Sequence, residues 1–189
     1  MNKTTLPTEV VIDGAAYKIN QAGNFEIVID ILKAFSDRQL DNQEKFYVAL
    51  SIFYNFQIPD NYKKATEEML FFIRRSQNMG TDNRPVLMDW NQDFDLIADA
   101  VIPILGYDVR TPGKYTHWWT LLGAYYQIGD SPFATVVSIR SKKQKRKRLT
   151  KEEQEFYSAN KDMIELSTIQ FSSEEEQFFK ELLDGDLIE

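Results

Sequence analysis

The chain has 189 residues, of which 43% are hydrophobic and 13% aromatic, a composition typical of a folded globular domain rather than a disordered segment. It contains no cysteine, which excludes disulfide bonds, thiolate metal sites and a cysteine nucleophile. The start of the chain lacks the basic stretch and apolar run of a secretory signal, and no segment reaches the ~18 apolar residues of a membrane span. We therefore expect a soluble, intracellular protein.

The net charge of −7 is unevenly distributed along the chain. Seven of the nine residues from 140 to 148 are Lys or Arg, and none is acidic. This segment, the basic run, holds seven of the 22 basic residues, whereas all 29 acidic residues lie elsewhere. The rest of the chain is therefore strongly acidic, and the basic run needs an explanation of its own.

The predicted elements begin with a β-hairpin, in which two β-type runs flank Asp13-Gly14, a dipeptide that suits a tight turn with positive φ. Apolar residues at helical spacing follow along most of the chain. Capping residues and prolines place the helix starts. These starts are Asn24, the Asp41–Glu44 capping box, Asp60, the vicinity of Asp89, about Tyr115, Ser131-Pro132, the Thr150–Glu153 capping box and the vicinity of Ser172.

Three helix ends and one loop are also predicted. The third helix should end near Arg74-Arg75, and residues 76–88 read as a loop. Pro103 should kink or end the fourth helix, which Gly106 stops. The aromatic helix should run from about Tyr115 to Ile128. We predict a mainly α protein, with a compact helical domain and N-terminal hairpin at 1–140, and a basic linker with acidic amphipathic helices at 141–189.

Four aspartates, Asp89, Asp93, Asp95 and Asp99, are the best candidates for a metal site. Asp95 and Asp99 stand four residues apart, so their carboxylates could share a helix face and bind Mg²⁺. However, Asp93-x-Asp95 lacks the Gly and the terminal Glu of a calcium loop, and acidic residues are favoured in the first turn of any helix. We interpret the cluster as first-turn and solvent-exposed acids, not as a metal site.

His117 is the only histidine in the chain. A catalytic triad or a histidine-rich metal site would need partners, and the sequence has neither G-x-S-x-G nor H-x-x-x-H. It also has no P-loop and no G-x-G-x-x-G. We interpret His117 as a partly buried polar residue with a hydrogen-bond partner, and we expect no enzymatic activity and no cofactor.

The basic run permits several interpretations. Its cations could neutralise phosphates and bind nucleic acid, but no aromatic residue lies between 140 and 148 to stack on bases, and the acidic remainder of the chain opposes a polyanion. It could instead be a solvated linker or contact an acidic protein segment, including the acidic end of this chain. That end carries apolar residues at helical spacing, so its helix should pack on the protein's own core or on a partner.

Several segments, taken in order, resemble a known phage family. They are Leu6-Pro7-Thr8-Glu9-Val10 followed by Ile12-Asp13-Gly14-x-x-Tyr17-x-Ile19, Asp89-Trp90-x-x-Asp93, Gly106-Tyr107-Asp108, His117-Trp118-Trp119 and Ser138-Ile139-Arg140-Ser141-Lys142-Lys143. The pattern, over about residues 6–165, is similar to the small tail proteins that siphophages and prophages of Gram-positive bacteria encode just upstream of the tape measure protein. These proteins are generally regarded as tail assembly chaperones.

The resemblance implies a mostly helical chaperone in the host bacterial cytoplasm. It would coat the hydrophobic, helical tape measure protein, keep it soluble, and leave as tail-tube subunits polymerise. Such a protein needs apolar or aromatic surface that fits helices, and it can self-associate along its client. It needs no membrane partner. The candidate partner-binding residues are Trp118, Trp119, Tyr125, Tyr126, Arg140, Lys142, Lys143, Lys145, Arg146, Phe178, Phe179, Leu182 and Leu183.

Three alternatives remain open. One is a structural tail or connector protein that stays in the virion. The second is a nucleic-acid-binding regulator that uses the basic run. The third is a metal-dependent enzyme built on the acidic residues at 89–99.

Overall fold

The computed structural model describes residues 5–37, 39–75 and 86–166, which are mainly helical, as the sequence predicts. They fold as two compact units, the first formed by the described residues up to 75 together with 116–119, and the second by 86–115 and 120–166. The elements within these ranges are β1 (Glu9–Ile12), β2 (Ala15–Lys18), α1 (Phe25–Ser36), α2 (Asn42–Phe53), α3 (Tyr62–Arg74), α4 (Trp90–Leu105), α5 (Trp118–Tyr125), α6 (Pro132–Gln144), α7 (Lys151–Ala159) and α8 (Lys161–Ile164).

The predicted hairpin is confirmed. Strands β1 and β2 pair antiparallel, and the turn between them has positive φ at both Asp13 (50°) and Gly14 (86°). Side chains alternate along β1, where Val10 and Ile12 are buried while Val11 is exposed. The buried pair thus joins the hairpin to the core of the first unit.

The helices of the first unit begin close to where capping residues predict. The capping box of Asp41 and Glu44 is present at α2. The cap of α3 is Asn61, one residue beyond the predicted Asp60, and its side chain accepts a hydrogen bond from the backbone N–H of Lys64. Asn24 precedes α1 but does not cap it with its side chain, whose amide nitrogen donates to Glu26.

Helix α4 of the second unit continues through Pro103 to Leu105, so Pro103 does not end it. Pro103 has no backbone N–H to donate to the carbonyl oxygen four residues earlier, so the helix loses one hydrogen bond there and ends two residues later. Gly106 ends the helix as predicted, with φ of 77°. Asp89 caps the start by accepting hydrogen bonds from the backbone N–H groups of Asn91 and Gln92.

Helix α5 is shorter than the predicted Tyr115–Ile128. The residues before it are extended, since the carbonyl oxygen of Thr116 accepts a hydrogen bond from the N–H of Phe25 at 2.9 Å and His117 forms a β-bridge with Asn24. This pairing within the first unit delays the start of the helix to Trp118.

Helices α6, α7 and α8 build much of the second unit. Ser131 caps α6 ahead of Pro132, and the Thr150–Glu153 capping box opens α7, both as predicted. Their common core is a buried cluster with partly buried apolar residues packed around it. The cluster consists of Val136, Ile139 and Ile164, surrounded by Leu96, Leu149, Phe156 and Tyr157.

Some predictions fall outside the described residues. They are most of the 76–88 loop and the last helix near Ser172. The division of the chain at residue 141 stays a prediction, although α6 itself runs through that position. In the described part of the chain, no helix is long and apolar enough to cross a membrane.

Candidate protein-binding site

His117 lies inside the first unit with 1% of its surface exposed. Its Nδ1 accepts a hydrogen bond from the backbone N–H of Trp119 at 3.0 Å, and its Nε2 lies 3.0 Å from the carbonyl oxygen of Pro7. Because Nδ1 accepts, the proton sits on Nε2 and is donated to Pro7. Burial lowers the pKa of His117. The predicted hydrogen-bonded role of this residue is confirmed, and it is fully rather than partly buried.

Trp118 and Trp119 both hold the end of α3. Their indole N–H groups donate to the carbonyl oxygens of Ile73 at 2.7 Å and of Phe72 at 2.8 Å, respectively. These carbonyls belong to the last turn of α3, where backbone acceptors lack partners within the helix. Trp118 is only 1% exposed, so the structure places this ring in the core and not on the surface expected for it. Trp119 is half-buried, with the guanidinium of Arg75 over its ring.

Tyr125 and Tyr126 of the second unit differ in exposure. The Tyr125 ring is half-buried and packs against Trp90 at 5.2 Å and Phe133 at 5.8 Å between ring centroids. The ring of Tyr126 is 71% exposed and meets Tyr125 edge-on at 5.5 Å. Tyr126 therefore presents an exposed aromatic surface that packs on a partly buried cluster of rings.

Arg140, the first cation of the basic run, is buried and uses all five of its N–H groups. It donates to both carboxylate oxygens of Asp93, at 2.6 and 2.9 Å. The other three N–H groups donate to the carbonyl oxygens of Leu87, Met163 and Ile164, at 3.1, 2.7 and 2.7 Å. Arg140 and Asp93 thus form a buried clamp that joins α4, α6 and α8, and this arginine offers a partner no free donor.

The next two cations of the basic run are also engaged within the second unit. Lys142 binds the carboxylate of Glu153 at 2.6 Å, and this ammonium holds the pKa of Glu153 below its ordinary value. Lys143 lies 3.8 Å from the ring centroid of Tyr157 and 3.4 Å from the carboxylate of Glu165. By contrast, Lys145 and Arg146 are exposed, as are the two cations that follow them.

The four aspartates are divided among three environments. Asp89 is the cap of α4, and Asp93 belongs to the buried clamp. Asp95 and Asp99 are exposed and both bind the guanidinium of Arg110. Within the described ranges, no group of three or more His, Asp or Glu side chains is arranged to hold a metal ion. These positions agree with the interpretation of the cluster as first-turn and solvent-exposed acids, except that Asp93 is buried.

Several other apolar side chains with large exposed surfaces were not predicted from the sequence as partner-binding residues. Phe56 is the most exposed of the aromatic ones, at 81%. Its position directly after α2 leaves its helical register undefined, so periodicity gave no signal for it. The large apolar residues exposed in the described part of the chain are Leu6, Val11, Tyr47, Phe56, Tyr62, Val86, Tyr115, Tyr126 and Met163.

The buried clamp was also missed, although the sequence carries a signal for it. Asp93 stands four residues before Ile97, and Arg140 four residues after Val136, so each charge falls on the apolar stripe of its helix. A charge on a buried stripe needs a partner of opposite sign. The four C-terminal candidates, Phe178, Phe179, Leu182 and Leu183, lie outside the described residues.

Comparison with known proteins identifies a family for the chain. A family model described as Bacteriophage Gp15 protein matches residues 3–166. Neither a curated protein nor a solved structure matches the chain. The family match spans most of the sequence and confirms the expectation of a phage protein. The chain belongs to the Bacteriophage Gp15 protein family.

Proposed function

We propose that this phage protein is a tail assembly chaperone that binds the tape measure protein and keeps it soluble until the tail tube polymerises. Membership of a phage family supports the setting, and the ordered resemblance of several segments to tail assembly chaperones supports the task. The client would be the tape measure protein, with the tail-tube protein and further copies of the chain as additional partners. The observation that carries the proposal is the set of aromatic rings exposed to solvent.

These rings suit a client made of amphipathic helices. Five of the nine large apolar residues exposed in the described part of the chain are aromatic. Tyr and Phe side chains supply much of the binding energy at protein interfaces, because each buries a large apolar area on contact. The apolar face of a helix is a common partner for such surfaces. Rings in both units are therefore available to a long client.

Phe56 makes the strongest individual case. Its backbone φ is +62°, and Asn55 before it has φ of +48°. The left-handed region costs a bulky residue about 1–2 kcal/mol, and a ring that is 81% exposed returns little of this through burial. Glycine or asparagine would suit the position better. A role for the ring in binding explains why phenylalanine occupies a position that disfavours it.

Co-expression of the chain with the tape measure protein of the same phage tests the proposal. The tape measure protein should move from the insoluble to the soluble fraction and co-purify with the chain. An unchanged insoluble fraction without any complex would refute the proposal. A matched control is expression with the tail-tube protein alone in place of the chain.

The protein composition of purified virions distinguishes a chaperone from a structural tail or connector protein. A chaperone that leaves during tube polymerisation should be absent from purified virions. Mass spectrometry that finds the chain in virions, in amounts comparable to those of known tail subunits, would favour the structural alternative instead.

A further inference from the structure

The basic run divides into two parts with different surroundings. Its first three cations, Arg140, Lys142 and Lys143, have acidic partners in the second unit. Its last four residues, 145–148, are all cations and all exposed. None of the four has an acidic partner within the described ranges. Residues 145–148 are called the cationic turn below.

The cationic turn is held in one conformation from both sides. The N–H of Lys147 donates to the carbonyl oxygen of Lys142 at 2.8 Å, and that of Arg146 donates to Lys143 at 3.0 Å, a pattern that closes the end of a helix. After the turn, Leu149 packs against the core cluster and Thr150 caps α7. Four positive charges are therefore displayed on an ordered backbone, which lowers the entropic cost of binding.

Arg146 occupies a backbone position that favours a different residue. Its φ is +53°, at the place after a helix where glycine is usual because side chains are strained there. Within the described ranges, the Arg146 side chain makes no hydrogen bond or ion pair that offsets this strain. The charge itself is the property that distinguishes arginine from glycine at this position.

We infer that the cationic turn is a docking site for an acidic segment of a partner protein, in addition to the surface proposed for the client. Four fixed cations attract carboxylates, and a short peptide segment can contact the turn alone. Nucleic acid fits less well, because the acidic remainder of the chain repels a long polyanion. The ring of Tyr157, in the helix that follows, already has the ammonium of Lys143 over one face, so a base cannot stack on that face.

The test measures binding of a fluorescent glutamate-rich peptide to the full chain. One variant replaces the cations of the cationic turn by Lys145→Gln, Arg146→Gln, Lys147→Gln and Arg148→Gln. A control variant removes the same charge from four other exposed positions. Its substitutions are Lys18→Gln, Lys33→Gln, Lys63→Gln and Lys161→Gln. Circular dichroism verifies that both variants are folded, which the exposure of the replaced side chains favours.

Neutralising the cationic turn should weaken peptide binding by about tenfold at low salt, since four exposed ion pairs are lost. The control variant should change it by less than about twofold, because its four exposed charges are not part of the turn that contacts the peptide. A glutamine-rich peptide of equal length should not bind. The inference is overturned by absence of binding to the unaltered chain, by equal losses in the two variants, or by tighter binding of an oligothymidylate of matched charge. These outcomes do not involve the tape measure protein and leave the proposed function to its own test.

Discussion

The imidazole of His117 has a hydrogen bond on each nitrogen, and only one protonation state satisfies both. A proton added to Nδ1 would face the backbone N–H of Trp119, which is itself a donor. Burial also disfavours the charged, doubly protonated imidazole. The residue therefore stabilises the fold as a neutral donor and acceptor, a role that needs no catalytic partner.

This arrangement predicts how His117 titrates. Burial lowers its pKa in the folded state below the ordinary value of 6.5. A lowered pKa means that the unfolded chain binds the proton more readily, so the stability linked to His117 is present above pH 6.5 and is lost as the pH falls through the folded-state pKa. Because the chain has one histidine, its Cε1 proton gives a single NMR titration curve. The same resonance in urea is the internal control, and a folded midpoint at or above that of the unfolded chain would contradict the account.

At the level of residues, the sequence shows which side chains fall on apolar stripes but not which partners they find. Arg140 lies on the stripe of α6, yet its carboxylate partner stands 47 residues earlier in the chain. The local pattern therefore indicates that this arginine needs a partner of opposite charge, but it does not identify the carboxylate. The same limit applies to Trp118, whose burial depends on α3, an element distant in sequence.

Most helix starts could be predicted because capping is local chemistry. The boxes at α2 and α7 and the Ser131-Pro132 start of α6 depend on residues within one turn. The start of α5 could not be predicted in this way. Its delay follows from backbone pairing with residues 24 and 25, a contact between segments more than 90 residues apart in the sequence.

Gly23 controls how closely the chain before α1 approaches His117. Its φ is +77°, and an added Cβ would lie 2.8 Å from both the Nε2 of His117 and the ring of Phe72. Gly23→Ala should lower the free energy of unfolding by about 2–5 kcal/mol, the sum of backbone strain and overpacking. Urea denaturation measures the change. Gly14→Ala is the control for backbone strain alone, since its φ is +86° with nothing within 4 Å. Equal effects of the two substitutions would show that the close approach does not matter.

The clamp of Asp93 and Arg140 joins three helices of the second unit. Asp93→Asn should destabilise the protein by about 3–5 kcal/mol, because it leaves a buried guanidinium without its counter-charge. Hydrogen exchange should rise at residues 161–165, because Arg140 holds the carbonyl groups of Met163 and Ile164 within this segment. Asp99→Asn removes an exposed partner of Arg110 and should cost about 0–1 kcal/mol. Similar losses for the two variants, or unchanged exchange at 161–165, would contradict this role.

For the whole molecule, we propose that charge and aromatic surface serve different contacts. The cationic turn would attract acidic partners, and the acidic remainder of the chain would repel them. Exposed rings such as Phe56 in the first unit and Tyr126 in the second would supply apolar contact area. The fold class followed from composition and periodicity, since both depend on sums over many residues. The exposed rings proposed to bind the client could not be predicted in this way, because the exposure of a single ring depends on the packing of all the residues around it.

The proposed function is tested most directly by the amount of tape measure protein that remains soluble with a chain lacking the two rings. The variant is Phe56→Gly with Tyr126→Ser. Its free energy of unfolding should stay within about 1 kcal/mol of the original, because both rings are exposed and glycine relieves the positive φ at residue 56. A matched control is Lys18→Gln with Lys63→Gln, at exposed positions without rings.

The original chain and the lysine control should keep the tape measure protein soluble, while the ring-less variant, equally folded, should leave most of it in the pellet. Equal amounts of soluble tape measure protein with all three chains would contradict the claim that exposed aromatic rings hold the client.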